Sequence, residues 1–147
     1  QCAMFEGMGK KLSAEKKLDI RFSEVDMMGV VWHGSYVKYL EDAREEFGHK
    51  YGLSYDRYIK ENIFVPIVEL KMNYVHPLSY GMAPVVRITY CPTDAAKVVF
   101  EYEIFNPEDG TVFLKASSVQ VFMDRNHNLM WESPEFYVQW KKSVGQL

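Results

Sequence analysis

Residues 21–35 read Arg21-Phe22-Ser23-Glu24-Val25-Asp26-Met27-Met28-Gly29-Val30-Val31-Trp32-His33-Gly34-Ser35, and the chain then continues from Tyr36 through Tyr51 to Gly52. From Ser35 onward, Tyr36, Leu40, Ala43, Phe47 and Tyr51 recur every three or four residues, with Lys38, Glu41, Asp42, Glu45 and Glu46 between them. That is the period of an amphipathic helix. Ser35 can cap its N-terminus, Lys38/Asp42 and Glu46/Lys50 are spaced i,i+4, and Gly52 stands where a left-handed residue ends a helix. Residues 25–34 follow neither regular period and hold two glycines, so they read as a loop. Before them, Leu18, Ile20 and Phe22 alternate with Asp19, Arg21 and Ser23, which predicts a short strand over residues 16–24.

Downstream of the helix the period is two. Val68, Leu70, Met72 and Tyr74 alternate with Glu69, Lys71 and Asn73; Val86, Ile88 and Tyr90 with Arg87 and Thr89; and Val98, Phe100, Tyr102 and Ile104 with Val99, Glu101 and Glu103. Asn106-Pro107-Glu108-Asp109-Gly110 supplies turn chemistry before a last strand over residues 111–123, which predicts a hairpin. That strand carries Val112, Leu114, Ala116 and Ser118 on one side and Phe113, Val119, Val121 and Met123 on the other, so both sides read as apolar. A shorter helix capped by Ser54 is expected over residues 54–62, and residues 76–84 are a connection. Strand, long helix and four closely connected strands predict an α+β fold, an antiparallel sheet with one helix packed on its concave face. The second apolar face asks for cover by the tail around Trp131 and Phe136 or by another copy of the chain, so a homodimer or homotetramer is expected.

Composition narrows the function classes. A chain of 147 residues fits one domain, and burial of about 70% of its surface suffices for a core without metal or disulfide staples. Residues 1–15 read as an N-terminal extension, 16–140 as the domain and 141–147 as a tail. The two cysteines, Cys2 and Cys91, make no disulfide framework, and Cys91 reads as a small buried residue. With 17 basic and 20 acidic side chains the net charge is -3, which offers no basic field for nucleic acid. The longest apolar runs fall short of the roughly 20 residues that span a bilayer, and the expected location is cytoplasmic.

The chemistry concentrates where the first loop meets the long helix. The loop holds a carboxylate, Asp26, and the first N–H groups of the helix, near Gly34 and Ser35, have no intrahelical partners. The helix dipole favours developing negative charge there. A carbonyl placed at that end would be polarised, while Asp26 attacks it or deprotonates a water, which is enough for acyl transfer. Asp26 also has an ordinary structural use, as a turn residue accepting backbone N–H groups, and Gly29 can be a positive-φ turn residue, a point of close substrate approach, or both.

Through Asp26, the Gly29-Val30-Val31 run, His33, Tyr36 and the helix segment from Glu41 to Arg44, the chain resembles the 4-hydroxybenzoyl-CoA thioesterase family of hotdog-fold acyl-CoA thioesterases, especially its short bacterial acyl-CoA hydrolase branch. Tyr74, Pro77 and Gly81 extend the resemblance more loosely, so that it covers most of the chain. It implies a sheet wrapped around one central helix, hydrolysis of an acyl-CoA, or of an acyl group on acyl-carrier protein, and no cofactor beyond the coenzyme A of the substrate. It further implies that Asp26 is the catalytic nucleophile or general base, that the His33 backbone N–H polarises the thioester carbonyl, and that the His33 side chain orients water or Asp26. Gly29, Val30, Gly34, Ser35 and Tyr36 would then contact the substrate, with Tyr36 lining the acyl pocket. Met82 departs from the acidic residue that relatives often carry after the glycine, and Met27-Met28 is more apolar than usual.

Other chemistries fit less well. His33 and Ser35 lack the Gly-x-Ser-x-Gly elbow of a serine hydrolase. Asp26, His33 and either His49 or His76 lack paired zinc-ligand spacing, so no metal is expected. Lys141 and Lys142 could reach a CoA phosphate, though solvated tail charge is the simpler reading. A hotdog hydratase or dehydratase would need the Asp-x-Asn-Pro-x-His run, which is absent. A non-catalytic acyl-thioester binding protein would have little use for a carboxylate beside the carbonyl.

Overall fold

The computed structural model describes residues 11–147. Its long helix α1 spans Tyr36–Tyr51 and buries Tyr36, Tyr39, Leu40, Ala43 and Phe47, the stripe expected from the periodicity. Gly52 ends it at φ +81°, its N–H and that of Leu53 both donating to the Gly48 carbonyl. Gly48 itself admits the returning chain, since a Cβ there would lie 2.6 Å from the Ser54 Cα. A short helix α2, Tyr55–Lys60, follows. Ser35 and Ser54, both expected to cap with their side chains, do not; Ser35 already has helical φ and ψ, and the Ser54 carbonyl receives the Arg57 N–H instead.

Strand β1 is Ser13–Lys17, β2 is Ile67–Tyr74, β3 is Val85–Cys91, β4 is Lys97–Phe105 and β5 is Val112–Val121. They form one antiparallel sheet in the order β1-β3-β4-β5-β2, which leaves β1 and β2 at the edges. Val86, Ile88, Tyr90, Val98, Phe100, Tyr102 and Ile104 turn towards α1 and are buried, so β3 and β4 follow their expected alternation. In β2 the expected row of Val68, Leu70, Met72 and Tyr74 is broken, because the register shifts between Ile67 and Glu69 and leaves Val68 exposed. At the centre, the Phe47 ring meets Phe100 at 4.9 Å between centroids.

The first strand is displaced from the expected place. It begins three residues earlier and ends at Lys17, so the fold reaches back into the segment set aside as an extension, with Leu12 and Ala14 in the core. The reason lies in its partner. Lys17 pairs with Val85, and the Leu18 N–H still reaches the Pro84 carbonyl at 2.9 Å, but proline has no N–H to continue the ladder. Leu18 and Ile20 remain buried beyond the strand, while Phe22 is exposed.

The tail also departs from expectation. Helix α3, Glu135–Ser143, runs past residue 140 and packs on the same side of the sheet as α1. The Trp140 indole N–H donates to the Tyr51 carbonyl at 2.8 Å, and the Tyr137 and Tyr90 hydroxyls meet at 2.5 Å. Trp131 stays exposed. The opposite face of the sheet is not the apolar surface foreseen; it carries Arg87 between Glu15 and Glu103, and Lys71 beside Glu69. Cys91 is buried at the end of β3 but is disulfide-bonded, which corrects the reading of it as a simple small residue; Cys2 lies outside the described residues.

Candidate active site

The loop before α1 is a small hairpin. Val25 bridges Val31, the Asp26 N–H donates to the Val30 carbonyl at 2.8 Å, and the Trp32 N–H donates to the Glu24 carbonyl at 2.9 Å. Its tip is Met27-Met28-Gly29, with Gly29 at φ +77°, a conformation that glycine adopts without strain. Residues 78–80 clasp the hairpin from outside. The Val31 N–H donates to the Leu78 carbonyl, and the Tyr80 N–H to the Gly29 carbonyl. The two sequence stretches that carried the family resemblance thus meet in space.

Asp26 sits at the tip, exposed. Its Oδ1 accepts the Met28 N–H at 2.8 Å and the Val30 N–H at 3.4 Å, so the turn role is real and also fixes the carboxylate. Period-two alternation puts Asp26, Val30 and Trp32 on one side of the hairpin and Val25 and Val31 on the other. Val31 is enclosed while Asp26 and Trp32 are exposed; Glu24, across from Trp32 at the hairpin base, is buried.

Past Trp32 the chain makes a 3-10 turn, His33–Ser35, that leads directly into α1. The Ser35 N–H is taken by the Trp32 carbonyl at 2.9 Å and its hydroxyl donates to the Glu24 carbonyl, so the expectation that Ser35 serves as an oxyanion donor is corrected. His33 and Gly34, at the start of the turn, are the donors the geometry leaves. Their direction follows from their peptide planes, because N–H and C=O in a trans peptide point opposite ways. The Trp32 carbonyl faces Ser35, which turns the His33 N–H outward. The His33 carbonyl accepts the Tyr74 hydroxyl at 2.8 Å, which turns the Gly34 N–H away from Tyr74. The first turn of α1 carries no acidic side chain to neutralise the dipole.

Two supports of this site had no role assigned from the sequence, although Tyr74 was among the residues that carried the resemblance. Glu24, almost fully buried, accepts the Arg21 N–H at 2.8 Å and the Tyr39 hydroxyl at 2.9 Å, which pins the hairpin base to α1. Burial, and then the hydrogen bond to Glu24, push the Tyr39 hydroxyl well above its usual pKa and keep it a donor. Tyr74 is the other. Tyr36, expected to line the acyl pocket, is buried with its ring 5.1 Å from Tyr74 and 6.0 Å from Tyr39. Burial raises its pKa, against the Leu78 backbone hydrogen bond that lowers it. The exposed His33 ring leans on Trp32 at 4.7 Å.

A cavity of about 710 Å³ lies elsewhere, between α1, α2 and the sheet, lined by Arg44, Tyr58, Ile63, Val65, Ile67 and Phe100 among others. Neither Asp26 nor His33 lines it. Among the described residues no group of three or more His, Cys, Asp or Glu side chains is placed to hold a metal ion, and no helix is long and apolar enough to cross a membrane.

Comparison with known proteins gives the family and the fold class. A family model described as Thioesterase-like superfamily matches residues 20–140. YneP of Bacillus subtilis, whose name assigns it provisionally to the acyl-CoA thioesterases, is 30% identical over 112 residues, 76% of this chain and 80% of its own length. The acyl-acyl carrier protein thioesterase ATL3 of Arabidopsis thaliana, named as chloroplastic, is 30% identical over 121 residues, 82% of this chain and 64% of its own. The 4-hydroxybenzoyl CoA thioesterase of Pseudomonas sp. strain CBS-3 superposes with a TM-score of 0.70 at 24% identity, over 87% of this chain and 98% of that one. A five-stranded antiparallel sheet around one long helix, superposing on that structure, defines the hotdog fold, and the family match and the Bacillus relative place it in the class of thioester hydrolases. The chain belongs to the Thioesterase-like superfamily.

Proposed function

We propose that this protein hydrolyses acyl-CoA thioesters with Asp26 as the catalytic carboxylate and the His33 and Gly34 N–H groups as the oxyanion donors. The observation that carries the reading is the shared hairpin: it ties the Asp26 carboxylate by its own turn and leads, one residue past Trp32, to the His33 and Gly34 N–H groups of the 3-10 turn that opens a sixteen-residue helix. With the carbonyl oxygen on those N–H groups, Asp26 either takes a proton from water, whose hydroxide adds to the carbonyl carbon, or adds to that carbon itself to give an anhydride that water then opens. In either course the C–S bond breaks and CoA leaves as the thiolate. A thiol pKa of about 8.5 makes it a good leaving group without a strong general acid. Gly29 and Val30 would border the substrate, and the exposed His33 ring would orient the water.

The cavity supports a two-subunit site. Tyr74, which holds His33, ends β2, and Ile67, which lines the cavity, begins it. Pairing the free β2 edges of two copies antiparallel would bring each subunit's Asp26 loop to the partner's cavity, which would then take the acyl group. Val68 and Tyr74 leave that edge strand with exposed apolar surface. A cytoplasmic location goes with this reading, although disulfides such as that at Cys91 are rare where thioredoxin and glutathione keep thiols reduced; fractionation of the native cells, with the thiol state of Cys91, decides it.

The test is thiol release from a panel of short, long and aromatic acyl groups, each on CoA and on acyl-carrier protein. The expected result is turnover on CoA. Turnover confined to carrier-protein thioesters, the substrate named for the Arabidopsis relative, would replace the carrier in this reading. Hydration without thiol release would favour a hydratase, and binding without turnover a binding protein.

A further inference from the structure

Trp32 and Gly34 flank the reacting groups of the proposed thioesterase site, and the role inferred for them rests on that reading. Gly34 has no positive φ, so its lack of a side chain answers a steric demand rather than a conformational one. A Cβ there would fall 2.0 Å from Trp32 Cζ3, 2.4 Å from Cη2 and 2.7 Å from Cε3. The six-membered ring of the indole therefore fills the side-chain space of Gly34. It lies against the Cα of Gly34, whose N–H is one of the two proposed donors, and a Cα substituent and the N–H leave the backbone in different directions, so the ring stands beside the donor. Trp32 is nonetheless 54% exposed, and alternation along the hairpin assigns it to the side of Asp26. A large apolar side chain held half in water next to the reacting groups gains by being covered, and acyl-thioester atoms bound there would cover it.

We propose that Trp32 is a substrate-contacting residue whose indole walls one side of the space where the thioester carbonyl meets Asp26 and the His33 and Gly34 N–H groups, and that Gly34 exists to admit it. The wall keeps bulk water off the developing oxyanion, where excluded solvent strengthens each N–H···O interaction, and it fixes the carbonyl laterally. Its effect falls on the chemical step more than on ground-state binding.

The experiment compares wild type with Trp32→Ala, Trp32→Phe, Gly34→Ala and the Trp32→Ala/Gly34→Ala double variant, measuring kcat and KM by thiol release and Tm by thermal unfolding. Trp32→Ala should lower kcat about tenfold with a smaller change in KM and an unchanged Tm, and Trp32→Phe should restore most of the loss. Gly34→Ala, whose methyl must push the indole aside, should fall about as far as Trp32→Ala, yet cost little more once Trp32 is alanine. Unchanged kcat in Trp32→Ala overturns the wall, as does a Gly34→Ala loss that is equal with and without the indole. A wild type that turns over no acyl thioester overturns the thioesterase reading instead, and that outcome is read before any variant is made.

Discussion

Tyr74 and His33 are 41 residues apart in sequence and joined by one hydrogen bond. Because that bond holds the carbonyl of the peptide whose N–H belongs to Gly34, Tyr74 is a positioning residue. Tyr74→Phe should lower kcat about two- to tenfold, the worth of one such bond, with KM held and the fold intact; unchanged kcat at saturating substrate would remove Tyr74 from the account. At this scale the sequence was legible where chemistry and local order coincide. That Asp26 stands in a loop ahead of a helix start is legible locally, whereas the roles proposed for it and for the His33 N–H came with the family resemblance. That the 3-10 turn gives the Ser35 N–H to the Trp32 carbonyl and buries Tyr36 is not legible, because it follows from how the turn docks on the rest of the fold. Glu24 gave no local sign of burial; its partner Tyr39 is 15 residues away on another element.

The helix α1 was readable because its apolar stripe repeats over four turns, whereas β1 was misplaced because the apolar alternation continues past the point where Pro84 ends the ladder. The end of α1 yields a prediction of its own. Replacing Gly48 by alanine gains about 1 kcal/mol of helix propensity, but the methyl would meet the Ser54 Cα, the Leu53 carbonyl oxygen and the Ser54 N at 2.6 to 2.8 Å. Those are backbone atoms, held there by the Gly52 and Leu53 N–H bonds to Gly48. Gly48→Ala is therefore expected to destabilise by a net ~1–3 kcal/mol, at the order of magnitude of an overpacked contact, measured by urea unfolding. A variant as stable as wild type would mean that the 53–54 segment moves freely.

For the whole molecule, the sheet leaves β2 at an edge and the large cavity remote from Asp26, an arrangement that two paired copies would complete. No local pattern announces that cavity, since its walls come from α1, α2, the segment 63–67, β4, β5 and residues between elements. A lysine at Val68 is repeated across a two-fold interface and sets like charge near like charge. Val68→Lys should convert a dimer to monomer in light scattering and abolish most thiol release, while a dimeric, fully active variant would refute the β2 pairing. The central claim is chemical, and Asp26→Asn tests it with the fold held constant, because the amide oxygen can still accept the Met28 and Val30 N–H groups that the carboxylate accepts now. Thiol release by the folded Asp26→Asn protein, on the best substrate of the wild type, should fall by at least about a hundredfold with Tm unchanged. Activity within a few-fold of wild type in that protein would contradict the account.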